Sequence, residues 1–490
     1  MSLPYFWAVD HTIMLKFIEN ILCHFESCFS RKAAFHWFVV IITGLMLRSD
    51  KLGVTSIIRD LALAPSCYDS MLHFFRASSW SLEDVRRRWF SAVRQYAPLY
   101  KEGGFHVLVG DGVKQSKEGR RMPGVKKLFQ ESENSAKPEY IHGHMFGGLG
   151  ILAGSIRNWA CIPLSIRLHD GLQASIGWKD SCACAASHVI QMVEDAYRAA
   201  LTFGDSLLLL DRYFLTVPAL EKLKELNSSG KVRMEIVTKA KKSCTAFQKP
   251  GPRKPGRGRP PKKGAAVHLK ELFVSHKEQF LETETELYGK KKTIRYYSAD
   301  LLWGQKLYQE LRFVLVEMDG IQSILASTSL ALGPLSIIQL YSYRFRIECT
   351  FRELKQQIGA FCYHFWSKHM PRLNYYQKKG ELTPLEQVED EHARKKVLEA
   401  VRAIEMHVAL SCIAIGILQS LSICYIGKVN SSQIRYQRTP SKGRVSEATL
   451  MHYFRKHFFH LMGQKPELCI TQIIQGLQEE SEEYWDSLAY

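Results

Sequence analysis

The sequence predicts an α/β fold, with a central part built from strands and helices and mostly helical regions on either side of it. Apolar runs typical of strands follow one another from residue 105 and then alternate with helical patterns up to residue 240. Apolar residues in the first hundred positions recur at helical spacing instead. A strand-rich stretch at 241–333 interrupts the alternation. A chain of 490 residues can hold roughly two to four such domains.

The N-terminal residues 1–100 are predicted to form a helical DNA-binding region. Four apolar side chains share one helical face: Ile13, Phe17, Ile21 and Phe25. Ser81 and Asp84 form an S-x-x-D capping box in front of an arginine-rich helix. Two interpretations stay open for this region, a helix-turn-helix that binds DNA and a helical bundle with a solvated basic face.

Residues 101–240 predict the first part of an α/β core. The strand 105–109 runs into Asp111, and the apolar run 207–210 is followed at once by Asp211. An uninterrupted apolar run is typical of a strand buried on both faces. The other predicted elements are strands at 140–153, 159–168 and 231–240 and helices at 185–201 and 217–226.

The second half of the chain returns to the core only after an insertion. Residues 241–333 predict a β-rich insertion with a basic linker, and 334–370 predict the return to the core, with one long helix over 334–361. Residues 371–490 predict a helical C-terminal region. Within it, 408–427 carry no charge and have the length of a membrane-spanning helix, but the polar residues among them favour a helix buried in a large core.

The composition favours a folded protein that meets a polyanion. A hydrophobic fraction of 46% argues against wholesale disorder, and 66 basic against 48 acidic residues give a formal charge of +18. Such an excess attracts nucleic acid first and an anionic membrane surface second. The first thirty residues do not resemble a signal peptide, and the twelve cysteines are scattered, so a reducing, cytoplasmic compartment is expected. Cys182, Cys184 and His188 have only a trace of zinc-site spacing.

A polar stripe on the predicted helix 334–361 carries the most informative pattern. At about 100° per residue, four side chains share an arc of about 60°: Tyr341, Arg344, Glu348 and Lys355. A carboxylate flanked by cations suits a metal-bound phosphodiester, with Glu348 on the metal and Arg344 and Lys355 on phosphates. An ordinary amphipathic helix with an ion-paired face is the alternative. The aspartates that end two apolar strands favour the first interpretation.

Taken together, these residues resemble a known family. The pattern Y-x₂-R-x₃-E-x₆-K from Tyr341 to Lys355 matches the Tyr-Arg-Glu-Lys motif of one large group of bacterial insertion-sequence DDE transposases. Asp111 in VGDGVK and Asp211 in LLLDRYF look like the first and second catalytic aspartates of that group. The β-rich insertion before Glu348 matches its layout. The resemblance covers roughly residues 100–370.

The resemblance implies an RNase H-like fold that brings Asp111, Asp211 and Glu348 together around two Mg²⁺ ions, for which Mn²⁺ can substitute. Two such ions about 3.5–4 Å apart activate the attacking oxygen and stabilise the leaving one. Tyr341 then contacts a phosphate instead of acting as a nucleophile. The implied partners are the DNA of the transposon ends and of the target. The implied assembly on DNA is a homodimer in the bacterial cytoplasm, at the nucleoid.

Other polar residues compete for a role. Asp170 and Asp205 also stand at strand ends, but their surroundings do not match the family. His142 and His144 alternate along a predicted strand and therefore share a face, either toward a substrate or as ordinary solvated or core histidines.

The basic stretch Lys249–Lys263 contains seven basic residues and no acid. Its Arg257-Gly-Arg259-Pro core resembles an AT-hook, which inserts arginines into the narrow minor groove of A·T-rich DNA. A basic linker that contacts phosphates without sequence preference is the second interpretation, and a loop without DNA contact is the third.

The predicted function is transposition of the DNA element that encodes the chain, by metal-dependent end cleavage and strand transfer. A catalytically inactive relative that acts as a sequence-specific DNA-binding protein is the main alternative. A structure-specific nuclease without strand transfer is a third possibility.

Overall fold

The computed structural model describes residues 12–51, 53–77, 79–130, 138–155, 158–169, 187–251, 260–374, 388–425, 427, 429 and 444–488. These residues form one large mixed sheet with helices packed around it, which confirms the predicted α/β fold class.

Thirteen strands are present in the part of the chain that the structure describes, and all belong to this sheet. They are β1 Lys101–Glu102, β2 Phe105–Ser116, β3 Lys126–Phe129, β4 Tyr140–Ala153, β5 Ala160–His169, β6 Ser206–Leu210, β7 Met234–Ala240, β8 Thr245–Phe247, β9 Ala266–His268, β10 Leu281–Leu287, β11 Lys290–Trp303, β12 Gln309–Met318 and β13 Ile321–Ser327.

Along the chain, helices occur before the first strand, between strands and after the last strand. Those within the described ranges are α1 Thr12–Cys23, α2 Lys32–Leu47, α3 Thr55–Asp60, α4 Cys67–Phe74, α5 Leu82–Tyr96, α6 His188–Phe203, α7 Val217–Asn227, α8 Leu272–Ser275, α9 Pro334–Tyr343, α10 Arg346–Glu353, α11 Glu391–Cys424, α12 Glu447–Gln464 and α13 Cys469–Leu488.

Five strands in the spatial order β5-β4-β2-β6-β7 form the centre of the sheet. The strands β2, β4 and β5 make an antiparallel meander, and β6 and β7 then run parallel to β2. Helix α6 makes the crossover from β5 to β6. All five residues of β6 are buried, as its apolar run predicts for a strand covered on both faces.

The insertion does not form a separate sheet. Its last strand, β13, pairs antiparallel with β7, and β12, β11, β8 and β9 continue the same sheet outward, while β10 pairs with β11. A second apolar cluster, which includes Leu272, Phe273 and Phe313, lies under these strands. The described part of the insertion thus packs around a second core, to which Leu220 of α7 and Ala240 of β7 also contribute, and is hydrogen-bonded to the central strands.

The N-terminal and C-terminal helices share one apolar core with the central sheet. The Ser81 hydroxyl accepts a hydrogen bond from the Asp84 backbone N–H at 3.4 Å, which confirms Ser81 as the N-cap of α5, while the Asp84 carboxylate pairs with Arg87. On the same helix, the Trp89 indole donates to the Pro163 carbonyl at 2.8 Å. Its ring lies so close to Gly416 that a Cβ there would come within 2.4 Å, so glycine lets α5 and α11 meet.

Helix α11 contains the uncharged stretch noted in the sequence and is long and apolar enough to cross a membrane. In the structure, 89% of its most apolar window is buried against the rest of the protein. This is the environment of a core helix, as its diluted composition predicts.

His144 is a core histidine. Its side chain is fully buried, the Nδ1 atom lies 2.6 Å from the Tyr363 hydroxyl and the Nε2 atom lies 2.9 Å from the Pro123 carbonyl. A neutral ring that donates from Nε2 and accepts at Nδ1 satisfies both contacts. Burial lowers the pKa of His144 to about 4, despite the opposing hydrogen bond to Pro123.

This burial makes stability depend on pH. A histidine in the unfolded chain takes up a proton below pH 6.5, whereas native His144 stays neutral down to about pH 4. The unfolded state therefore binds more protons in this window, and the free energy of unfolding falls on acidification, by up to about 1.4 kcal/mol per pH unit. Urea unfolding across the window should give a smaller pH slope for His144→Gln than for the wild type. Identical slopes would contradict the assignment.

Candidate active site

Asp111 and Asp211 lie near each other where two neighbouring parallel strands, β2 and β6, stop pairing. Strands β2 and β6 are parallel and their pairing ends with Val109 opposite Leu209, two residues before each aspartate. The two acids are close enough for the charge of Asp211 to raise the pKa of Asp111. Asp111 continues inside β2, while β6 ends at Leu210 and the chain turns. The Thr238 hydroxyl of β7 donates to the Asp211 carbonyl at 2.9 Å and holds the start of that turn.

The third acid, Glu348, lies on α10, but the long helix predicted over 334–361 is wrong in detail. Helix α9 ends at Tyr343, and backbone bonds at Arg344 and Ile347 span three residues instead of four, which tightens the chain into a turn before α10. Beyond α10, Leu354–Ile358 is π-helical and ends at the left-handed Gly359. Residues 344–358 contain no proline and no glycine, so the composition does not signal that the helix is interrupted there.

Arg344 forms hydrogen bonds with two of the three acids, Asp111 and Glu348. One guanidinium nitrogen, Nη1, donates to Asp111 Oδ2 at 3.0 Å, and the other, Nη2, donates to Glu348 Oε1. The side chains of Arg344 and Asp111 are 14% and 21% exposed, whereas that of Glu348 is 55% exposed. The cluster is therefore anchored in the protein at Asp111 and open to solvent at Glu348.

The charges in this cluster are interdependent. Burial raises the pKa of Asp111, Arg344 opposes this by its charge and hydrogen bond, and the nearby negative charge of Asp211 raises it further. Burial would lower the pKa of Arg344, but Asp111 and Glu348 hold it above its ordinary value. A cation among the carboxylates is thus already part of the architecture, and carboxylate oxygens are the ligands that hard divalent cations prefer.

The other two residues of the predicted stripe differ from each other. The Tyr341 hydroxyl has its pKa raised by burial and, in part, by the charges of Asp211 and Asp111, so it lies within electrostatic range of the acids. Lys355 lies in the π-helical segment, with Nζ 5.9 Å from the centroid of the Phe361 ring. The widened turn changes the angular register on which the shared arc was predicted.

Glycine at position 148 allows the helix to approach the sheet. In β4, Gly148 is paired with Asp111, and a Cβ at this glycine would come within 2.6 Å of the Phe351 ring on α10. Phe351 is itself buried. The missing side chain therefore sets the distance between the strand that carries Asp111 and the helix that carries Glu348.

Substitution of this glycine should misplace Glu348. In Gly148→Ala the new methyl group displaces Phe351, and we expect a loss of about 1–3 kcal/mol in the free energy of unfolding, as for overpacked cores, together with weaker activity of the site. Gly463→Ala is the matched control, because a Cβ at this helical glycine of α12 would have nothing within 4 Å. It should be neutral or stabilising. Equal denaturation midpoints for the two variants would contradict the packing argument.

A buried polar chain lies behind the aspartates. Asp195 Oδ2 lies 3.4 Å from His169 Nε2, and His169 Nδ1 lies 2.5 Å from His188 Nδ1. The His188 ring contacts Phe214, three residues after Asp211, and would lie 3.0 Å from a Cβ at Gly112. Burial would raise the pKa of Asp195, but the His169 hydrogen bond and two arginines lower it. Sequence reasoning missed this polar chain, because β5, which carries His169, and α6, which carries His188 and Asp195, meet only in the folded protein.

A basic hairpin tip was also missed. The turn between β10 and β11 sets the Tyr288 ring 5.6 Å from the ring of Phe345, beside Arg344. Lys290 and Lys291, the next residues after the turn glycine, are exposed. The run GKKK at 289–292 was the available signal.

Of the remaining candidate residues from the sequence, one has a structural contact and five lie outside the described residues. Asp205 Oδ1 accepts a hydrogen bond from the Arg233 backbone N–H at 2.8 Å, a structural contact at the start of β6. Other residues considered in the sequence lie outside the described residues: Asp170, Cys182, Cys184, Arg257 and Arg259.

Comparison with known proteins gave one finding. The profile of the family described as DDE superfamily endonuclease matches residues 24–297, more than half of the chain. The match includes Asp111 and Asp211 and ends before Glu348. No curated protein and no solved structure gave a significant match.

Proposed function

Since this chain belongs to the DDE superfamily of endonucleases, we propose that it is a transposase of the bacterial insertion-sequence group with the Tyr-Arg-Glu-Lys motif. It cuts the ends of the DNA element that encodes it and joins them to target DNA. The observation that carries the proposal is the convergence of three acids from separate parts of the chain: Asp111 beside Asp211, with Glu348 tied to Asp111 through Arg344.

The central sheet is proposed to be RNase H-like. In chain order, its five strands are arranged 3-2-1-4-5, with the first three antiparallel and the last two parallel to the first. This arrangement supports the proposal because it sets the first and fourth strands next to each other, and these are the strands that lead to Asp111 and Asp211.

The residues present fit a pair of Mg²⁺ ions. Asp111, Asp211 and Glu348 offer oxygen ligands only, and the repulsion between the two aspartates is of the kind that a divalent cation relieves. When bound, two such ions supply activation of the attacking water or 3′-hydroxyl and stabilisation of the leaving oxygen. A covalent protein–DNA bond is not required in this chemistry.

The protein's own groups orient the DNA. Arg344 holds Asp111 and Glu348 in a fixed relation and presents a guanidinium suited to a phosphate. Tyr341 is proposed as a phosphate contact, and Lys355, Arg257 and Arg259 as further DNA contacts. Because Glu348 is more than half exposed, the scissile phosphate has a route in from the solvent side. The formal charge of +18 favours a DNA partner, with a homodimer to pair two ends.

The test is an assay on DNA that carries the encoding gene with its natural flanks, supplied with purified protein, a target plasmid and Mg²⁺ or Mn²⁺. We expect breaks at defined positions on both sides of the gene and covalent joining of the freed ends to the target. Binding without breakage would instead favour an inactive DNA-binding relative. Breakage that follows DNA structure and never leads to joining would favour a nuclease.

A further inference from the structure

A cavity of about 630 Å³ opens beside the segment that follows the candidate catalytic helix. It lies between α4, α11 and residues 361–370, and its volume falls in the range of small-molecule sites. None of the residues proposed for catalysis lines it. The cavity is therefore a site distinct from the three acids, and the residues around it indicate what it binds.

The wall is aromatic. Phe365 is half-buried and held by other rings, with centroids 5.4 Å away at Phe75 and 6.4 Å away at Tyr363. Trp366 and Tyr68 stand at the opening, with 62% and 40% of their surface exposed. Flat aromatic faces held at a pocket opening suit a flat aromatic ligand, and nucleobases stack on such faces whatever their sequence.

A buried histidine nitrogen at the floor has no hydrogen-bond partner among the described residues. His407 is 2% exposed, and its Nε2 has no hydrogen-bond partner among the described residues. The His407 ring is hydrogen-bonded to the backbone of Gly359. Burial lowers the pKa of His407 to about 3, so the ring is neutral. With the proton on the nitrogen that faces Gly359, Nε2 is an acceptor. Every DNA base carries N–H donors, which are free when the base is unpaired.

The rim is cationic. Arg76 and Lys368 are exposed at the opening, and Lys396 is paired with Glu399 at 2.9 Å, which is the acid that lines the cavity. A base that enters brings its phosphate to this rim, where the exposed cations Arg76 and Lys368 complement its charge.

The cavity is connected to the acids through β2. Lys117, at the end of this strand, donates from Nζ to the carbonyls of Phe361 at 2.5 Å and Tyr363 at 3.0 Å. Six residues of extended chain from Asp111 to Lys117 span roughly 20 Å. We propose that this cavity binds an unpaired nucleobase of the DNA whose phosphodiester lies at the acids; the proposal rests on the proposed function.

The test compares three DNA probes in EDTA, which prevents cleavage: a blunt duplex, the same duplex with a single-stranded extension of about six nucleotides, and that extended duplex with abasic sugars in the extension. The wild type should bind the base-containing extension about tenfold more tightly than the other two, the effect of one or two stacked bases. Trp366→Ala should remove this preference and leave affinity for the blunt duplex unchanged. Phe459→Ala, an exposed aromatic on α12 away from the cavity, should keep it.

The outcomes separate the cavity from the proposed function. Equal affinity for the base-containing and abasic extensions would mean that the rim only attracts phosphates, which overturns the proposal. A preference that survives in Trp366→Ala would also overturn it. A protein that binds none of the three probes would overturn both this proposal and the proposed function, whereas duplex binding without the preference overturns the cavity alone. His407→Gln offers the second variant: the preference should fall there too.

Discussion

Single replacement of Asp111, Asp211 or Glu348 by the matching amide will strongly slow metal-dependent DNA cleavage and leave DNA affinity nearly unchanged. The amide keeps the size of each side chain but removes the charge that holds a divalent cation. Loss of the carboxylate that holds the cation should slow cleavage by about a thousandfold, which corresponds to about 4 kcal/mol of transition-state stabilisation. Affinity rests on basic contacts spread over the surface, so it should change little. Gel-shift and cleavage assays on the same DNA measure both.

The control for this set is Asp205→Asn. Asp205 is also an acid next to a strand, but it directly precedes β6, whereas Asp211 directly follows it. The Asp205 carboxylate accepts a hydrogen bond from the Arg233 backbone N–H. Its loss should lower stability and spare cleavage. If any amide variant at the three acids cleaves at the wild-type rate, that residue does not belong to the site.

The positions of the two aspartates could be predicted because they depend on local pattern and a simple rule. Each follows an apolar run, and neighbouring parallel strands run in the same direction across a sheet; Asp211 directly follows β6, whereas β2 continues beyond Asp111 to Ser116, further than predicted. The sequence therefore predicts Asp111 and Asp211 close together, and in the structure the charge of Asp211 acts on Asp111 just beyond the paired residues of β2 and β6. The β-rich character of 241–333 is equally local, since alternation and turn residues are visible in the chain.

The remaining features depend on distant contacts. The pairing of β13 with β7, which joins the insertion to the central sheet, has no signal in either strand alone. The chain from Asp195 through His169 to His188 also has no local signal, because it forms only when the end of β5, with His169, meets helix α6, which carries both His188 and Asp195. The turn at Arg344 could not be predicted either. Side chains spaced as in an unbroken helix predict a contact between Arg344 and Glu348, and this contact is present although the helix is interrupted between them.

That contact gives Arg344 two separable tasks, to hold the acids and to hold DNA. Arg344→Ala should reduce cleavage by about a hundredfold, because Asp111 and Glu348 lose their common partner. It should also reduce the slope of log affinity against log salt by about one unit, if the guanidinium contacts one phosphate. Arg352→Ala is the matched control on α10, since this arginine is 55% exposed and paired with Glu353. Neither quantity should change there.

Arg344→Lys separates the two tasks. An ammonium group carries the charge that a phosphate needs, but it lacks the planar fork that reaches Asp111 and Glu348 at once. The lysine variant should therefore recover the wild-type salt slope and remain defective in cleavage, as measured by initial rates at saturating protein. A lysine variant that cleaves at the wild-type rate would mean that charge alone is sufficient and that the bridge between the acids is not needed. An alanine variant with an unchanged slope would assign Arg344 to the acids only, because a lost phosphate contact cannot leave the salt dependence intact.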